Sequence, residues 1–123
     1  MIYHFKLKTQ NDEISSYFAM RKFSTILDDK GHRRLALNNK IYFMKGVLDQ
    51  GYYMDGYLTP SSDDDYINDI THIKELGFNV SRKHIKIESL RWYYHCDRLG
   101  LIVWQDFVNG GSNYSFWTIS TPL

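Results

Sequence analysis

At 123 residues, with 43% hydrophobic and 24% charged side chains, the chain has the length and composition of a folded globular domain and excludes a disordered segment. Fifteen basic against fourteen acidic residues leave a formal charge of +1, so no global field draws nucleic acid or an anionic membrane surface. A single cysteine, Cys96, excludes an internal disulfide; with no signal-peptide core and no bilayer-length apolar run, a cytoplasmic location is expected.

Tyr3 to Leu7 alternate as on a half-buried strand. Gln10-Asn11-Asp12-Glu13 reads as a turn, and Ile14 to Phe18 as the returning strand, continuing toward Ile26. Two or three strands alone bury little apolar surface, so this opening is expected to be the tail of a β-sandwich. Leu27 to His32 reads as a junction, which sets a boundary between residues 1–27 and 28–123. Arg34 to Leu37 and Ile41 to Phe43 predict a hairpin, with Asn38 and Asn39 suited to the left-handed backbone of its turn.

A short strand from about Met44 to Leu48 then exits through Asp49, Gln50 and Gly51 into a Gly- and Tyr-rich loop ending at Pro60. Ser61 and Ser62, followed by Asp63, Asp64 and Asp65, predict a helix start, with acids beside the positive end of the dipole. The acidic run lacks the alternating ligands and closing glutamate of a calcium loop. Ile67, Ile70, Ile73 and Leu76 form the expected buried stripe, and Gly77 the stop. A second strand, from Phe78, leaves through Arg82, Lys83, His84 and Lys86. A second helix is capped by Ser89, carries an apolar face including Leu90, Tyr93, Tyr94 and Leu99, and ends at Gly100. Leu101 to Trp104 is continuously apolar, as for a parallel strand covered on both faces, and exits through Gln105, Asp106 and Phe107 into a loop spanning Val108 to Tyr114.

The repeating unit is therefore a strand whose last residues turn polar, followed by a helix. In α/β architectures, ligands and chemistry collect at the carboxyl ends of parallel strands. Ten Tyr, seven Phe and three Trp are compatible with stacking on sugar faces as well as with a core. The five histidines are scattered without paired ligand spacing, so no metal site is expected, and no phosphate loop or serine or cysteine nucleophile motif is present.

Asn38-Asn39-Lys40-Ile41-Tyr42-Phe43-Met44-Lys45-Gly46-Val47 resembles the passage into the catalytic barrel of family 2 glycoside hydrolases, the β-galactosidase and β-glucuronidase group. Gly77 to Arg82 is similar to that family's second barrel strand, which ends in arginine followed by histidine. Cys96-Asp97-Arg98-Leu99-Gly100-Leu101-Ile102-Val103 is similar to its passage into strand three. Ser16 to Lys22 resembles the last strand of the preceding immunoglobulin-like domain. The order and spacing agree through about residue 110. Leu48-Asp49-Gln50 replaces the family's Asn-x-His, and His84 stands one place earlier than the usual histidine, with no Tyr-Pro after it.

The resemblance implies an incomplete (β/α)8 TIM barrel of about three βα units, preceded by the last strands of an immunoglobulin-like sandwich. It implies retaining hydrolysis of O-glycosyl bonds, a carbohydrate substrate, no cofactor, and dependence on the remainder of the barrel. Such hydrolysis needs two carboxyl groups about 5–5.5 Å apart. In the family both are glutamates, one of them following an asparagine. The only glutamates here are Glu13, Glu75 and Glu88, none in such a pair, so the catalytic residues are expected to be absent. Asp49, Gln50, Arg82, His84 and Asp106 remain as expected substrate-pocket residues, Arg82 because its fixed charge would keep a neighbouring carboxylate ionised. The alternative is a non-catalytic module that binds carbohydrate or a partner.

Overall fold

The computed structural model describes residues 2–108, a mixed α/β arrangement of three small sheets and two helices. The expected loop from Val108 to Tyr114 lies outside the described residues except for Val108 itself. Strands β1 (Ile2–Lys8) and β2 (Glu13–Ala19) form an antiparallel hairpin in the register Tyr3↔Phe18 and Leu7↔Ile14. This register puts Tyr3, Phe5, Leu7, Ile14 and Phe18 on one face, with the rings of Tyr3 and Phe18 stacked at 5.2 Å. Strand β2 does not run on to Ile26: the chain breaks pairing over 20–22 and starts a second sheet.

That sheet is the meander β3 (Phe23–Leu27), β4 (Arg33–Leu37) and β5 (Lys40–Ile41). The β4–β5 turn is the two-residue type expected, with Asn38 and Asn39 at φ 51° and 63° and Leu37 paired with Lys40. Asn38 also closes the bend after β2, its side-chain oxygen accepting from Lys22 N at 2.9 Å. Because β3 pairs with β4, the sheet straddles residue 27, where the sequence suggested a boundary.

The third sheet is parallel, in the order β6 (Gly46–Asp49), β7 (Val80–Lys83) and β8 (Ile102–Gln105). Helix α1 (Asp63–Glu75) connects the first two strands, and α2 (Leu90–Leu99) the last two. Asn79 fixes the entrance to this sheet: its amide donates to Phe43 O at 2.9 Å, and its side-chain oxygen accepts from Lys45 N at 2.8 Å.

Helix α1 begins with a capping box, in which Ser62 Oγ accepts from Asp64 N and Asp65 Oδ2 accepts from Ser62 N. It ends in a Schellman turn, Phe78 N donating to Ile73 O, with Gly77 at φ +84°. The buried stripe departs from the expected one. Leu76 lies at the C-cap and is 76% exposed, while Tyr66 and Ile70 are buried and Ile67 and Ile73 half-buried. On α2, Leu90 is 85% exposed, and Trp92, His95 and Cys96 are the buried residues. Ser89 is the N-cap, yet its hydroxyl bonds Tyr66 OH at 3.0 Å instead of a helix amide.

Both helices lie on one side of the parallel sheet. Tyr66, Ile70, Trp92, Cys96 and Leu101 make the core between them, with Val103 of β8 packed against it. Burial of a side chain such as Ile70 contributes roughly 1.5–3 kcal/mol. The opposite face is open: Leu48 and Trp104 are more than half exposed, so β8 is not covered on both faces as the sequence suggested. The N-terminal hairpin is tied to α2 by Arg21–Asp97 at 2.7 Å and by the edge-on packing of Tyr17 against Tyr94. Among the described residues, no helix is long and apolar enough to cross a membrane.

Candidate functional site

Register decides which strand-exit residues can act together. Leu48, Arg82 and Trp104 stand side by side across the sheet, as do Asp49, Lys83 and Gln105 one step further on. Successive residues of a strand face opposite ways. Arg82 therefore faces the open side, while Asp49 and Lys83 face the helices, although all three lie at the same end of the sheet.

On the open side, Met44, Gly46, Leu48, Val80, Arg82 and Trp104 line a cleft of about 280 Å3. At its rim, Arg82 grips Asp106 with a two-pronged bond, Nε to Oδ1 at 3.1 Å and a terminal nitrogen to Oδ2 at 3.0 Å. The guanidinium holds the Asp106 carboxyl below the ordinary carboxylate range, with help from the Ile85 amide and the nearby His84 ring. Reciprocally, Asp106 raises the pKa of Arg82. Gln50 Nε2 donates to His84 Nδ1 at 3.3 Å, which makes that nitrogen the acceptor and leaves Nε2 to carry the proton. Gln50, Arg82, His84 and Asp106 thus gather as two adjacent polar pairs at the exits of three parallel strands.

Asp49 belongs to a different cluster. Its Oδ1 accepts from Gly51 N at 2.8 Å, and its Oδ2 takes Lys83 Nζ at 2.7 Å and Ser81 Oγ at 3.2 Å. Lys83 is fully buried, bonded to Glu88 Oε1 at 3.2 Å, and its ammonium lies 4.2 Å from the centroid of a Trp92 ring. Lys86 pairs with the same Glu88 oxygen at 2.7 Å. Two cations and two carboxylates alternate in this helix-side network, which braces the ends of β6 and β7 and the approach to α2. Gln105 extends the brace to β8 by donating to Lys86 O at 2.7 Å and accepting from Tyr93 OH.

Sequence reasoning missed Glu88, Lys86 and Gln105 as parts of one structure, and it missed Ile85, whose φ of +49° turns the chain at the β7 exit. Period-two alternation could have separated residue 82 from 83 in function, though not said which faced inward. A β-branched residue in the left-handed region leaves no sequence signal at all. Cys96 is inert by environment: burial pushes its thiol up to about 12.

The three glutamates stand apart from the rim. Glu13 starts β2 and pairs with Lys6, Glu75 ends α1, and Glu88 is consumed by Lys83 and Lys86.

No family model and no curated protein sequence matches the chain. Solved structures do. The exo-chitosanase of Amycolatopsis orientalis matches with a TM-score of 0.69 at 21% identity, over 89% of this chain and 13% of that one. A GH2 β-galacturonidase from Eisenbergiella tayi, bound to galacturonate, matches at 0.74 and 20% identity over 87% of this chain and 18% of that one. A β-glucuronidase of Parabacteroides merdae gives 0.67 and 22%, over 93% and 14% respectively. The chain thus has the fold of a segment of these glycosidases and spans less than a fifth of their length.

Proposed function

We propose that the chain is a segment of a family 2 glycoside hydrolase that carries part of the substrate pocket and neither catalytic glutamate. In this reading residues 1–27 contribute closing strands of an immunoglobulin-like sandwich, and residues 28–123 open a (β/α)8 barrel of which β6, β7 and β8 are the first three strands. The observation that carries it is the gathering of Gln50, Arg82, His84 and Asp106 at the carboxyl ends of consecutive parallel strands, beside an open cleft. Ligand sites of barrel enzymes lie at that end.

The roles follow from the chemistry of each group. Gln50 and the free Nε2–H of His84 can bond sugar hydroxyls. Arg82, fixed by Asp106, places a permanent positive charge at the rim, where a catalytic carboxylate supplied by a later strand would be held ionised for attack on the anomeric carbon. Asp49 would shape the pocket indirectly, by fixing Gly51 and the end of β6. The open faces of both the parallel sheet and the β1–β2 hairpin favour this segment reading over a self-sufficient binding module, which needs a closed core.

The test is complementation. The 123-residue chain should release no nitrophenol from aryl β-glycosides, and a chain extended by the remaining strands, including an asparagine–glutamate pair, should do so with retention of configuration. Turnover by the short chain itself, abolished by no substitution at the rim, would sink the assignment.

A further inference from the structure

The loop between β6 and α1 stands beside Gln50 and carries a row of outward side chains, Tyr52, Met54, Tyr57 and Leu58, all more than half exposed. Its own bonding is slight: Tyr53 N donates to Tyr57 O at 2.7 Å, and Thr59 N to Gly56 O at 3.1 Å. So few internal bonds leave the ends of a surface loop free to separate. They are joined by Lys86, three residues past the end of β7. Its ammonium donates to Gly51 O at 2.6 Å and to Leu58 O at 2.7 Å, and its third proton meets Glu88 Oε1 at 2.7 Å. All three donors of the lysine are used. Gly51 makes room for this arrangement, because a Cβ there would lie 2.3 Å from Glu88 Oε1 and 2.7 Å from Lys86 Nζ.

We propose that Lys86 is the positioning residue of this loop: its ammonium staples Gly51 to Leu58 and holds residues 51–58 in one conformation beside the rim, with Tyr52 and Tyr57 presented to the C–H face of a pyranose. Tyr53 supplies the inward anchor, packed edge-on against Tyr66 at 5.8 Å. The sugar in this statement rests on the function proposed above, and the staple does not.

Amide hydrogen exchange of the whole chain reads the staple directly. Lys86→Met is expected to speed exchange across residues 53–59, most clearly at the Tyr53 amide, by at least about tenfold, while amides of α1 and α2 stay within about twofold. Lys86→Arg, which keeps the charge and the donors, should restore most of the protection. Unchanged loop exchange in Lys86→Met, or acceleration spread evenly over both helices, overturns the proposal. If Lys86→Met does not fold, Gly51→Ala tests the same contact from the backbone side and should give the same loop-confined acceleration; its absence is equally fatal. No sugar enters the measurement, so a failed glycosidase assay leaves the staple standing, and an unstapled loop leaves the glycosidase reading standing.

Discussion

Lys83 and Arg82 are neighbours in sequence with opposite energetic weight. Lys83 is fully buried between two carboxylates, so Lys83→Met leaves Asp49 and Glu88 short of their shared cation. Removing one partner of such a buried pair costs on the order of 3–5 kcal/mol. Arg82 is half exposed, so solvent screens its pair with Asp106, and Arg82→Met should cost far less than Lys83→Met. Urea unfolding of the two variants checks this, and equal losses would contradict the helix-side placement of Lys83. The Arg82–Asp106 pair should be read by titration instead. A carboxyl held below its ordinary value of 3.8 in the fold favours the folded state above that pH, and the contribution fades as pH falls through the lower folded value. Carbon-detected NMR of Asp106 should give a midpoint below 3.8 that moves up in Arg82→Met. The sequence showed that these residues sit at a strand exit. Which of them turn toward the cleft was not legible, because facing depends on register against strands far away in the chain.

At the level of elements, both helices were legible because their ends carry local chemistry: a serine before each, three acids in the first turn of α1, and a left-handed glycine, Gly77 or Gly100, at each stop. The errors at Leu76 and Leu90 fall at helix ends, where periodicity continues in sequence after the chain has turned away from the core. The two capping serines look alike in sequence and differ in the fold. Ser62 Oγ serves a helix amide, so Ser62→Ala should lower stability by about 0.5–2 kcal/mol through α1. Ser89 Oγ serves Tyr66 OH across the helix pair. Its loss should therefore couple to Tyr66: in a double-mutant cycle with Tyr66→Phe, Ser89→Ala should be non-additive by about 0.5 kcal/mol or more, and Ser62→Ala additive. Equal additivity of the two serines would place Ser89 at the helix end and not at the α1–α2 contact.

For the whole molecule, the distribution of buried surface matters more than its amount. The cluster of Tyr66, Ile70, Trp92, Cys96 and Leu101 lies on the helix side of the parallel sheet, while Leu48 and Trp104 face solvent on the other side, and Phe5, Leu7, Ile14 and Phe18 do the same on the hairpin. The strand order β6-β7-β8 also leaves β6 and β8 with unpaired outer edges within the described residues. Apolar faces bordered by open edges are sites of association. The chain on its own should bind a hydrophobic dye and sediment as a concentration-dependent mixture. Leu48→Lys together with Trp104→Lys should suppress both effects without lowering the melting temperature, since neither side chain belongs to the core. On the barrel-segment proposal, joining the chain to further barrel strands should suppress them equally well, by covering the same face. A monodisperse, dye-silent parent chain would instead mean that these faces need no cover, and the non-catalytic binding module would become the better reading of the fold.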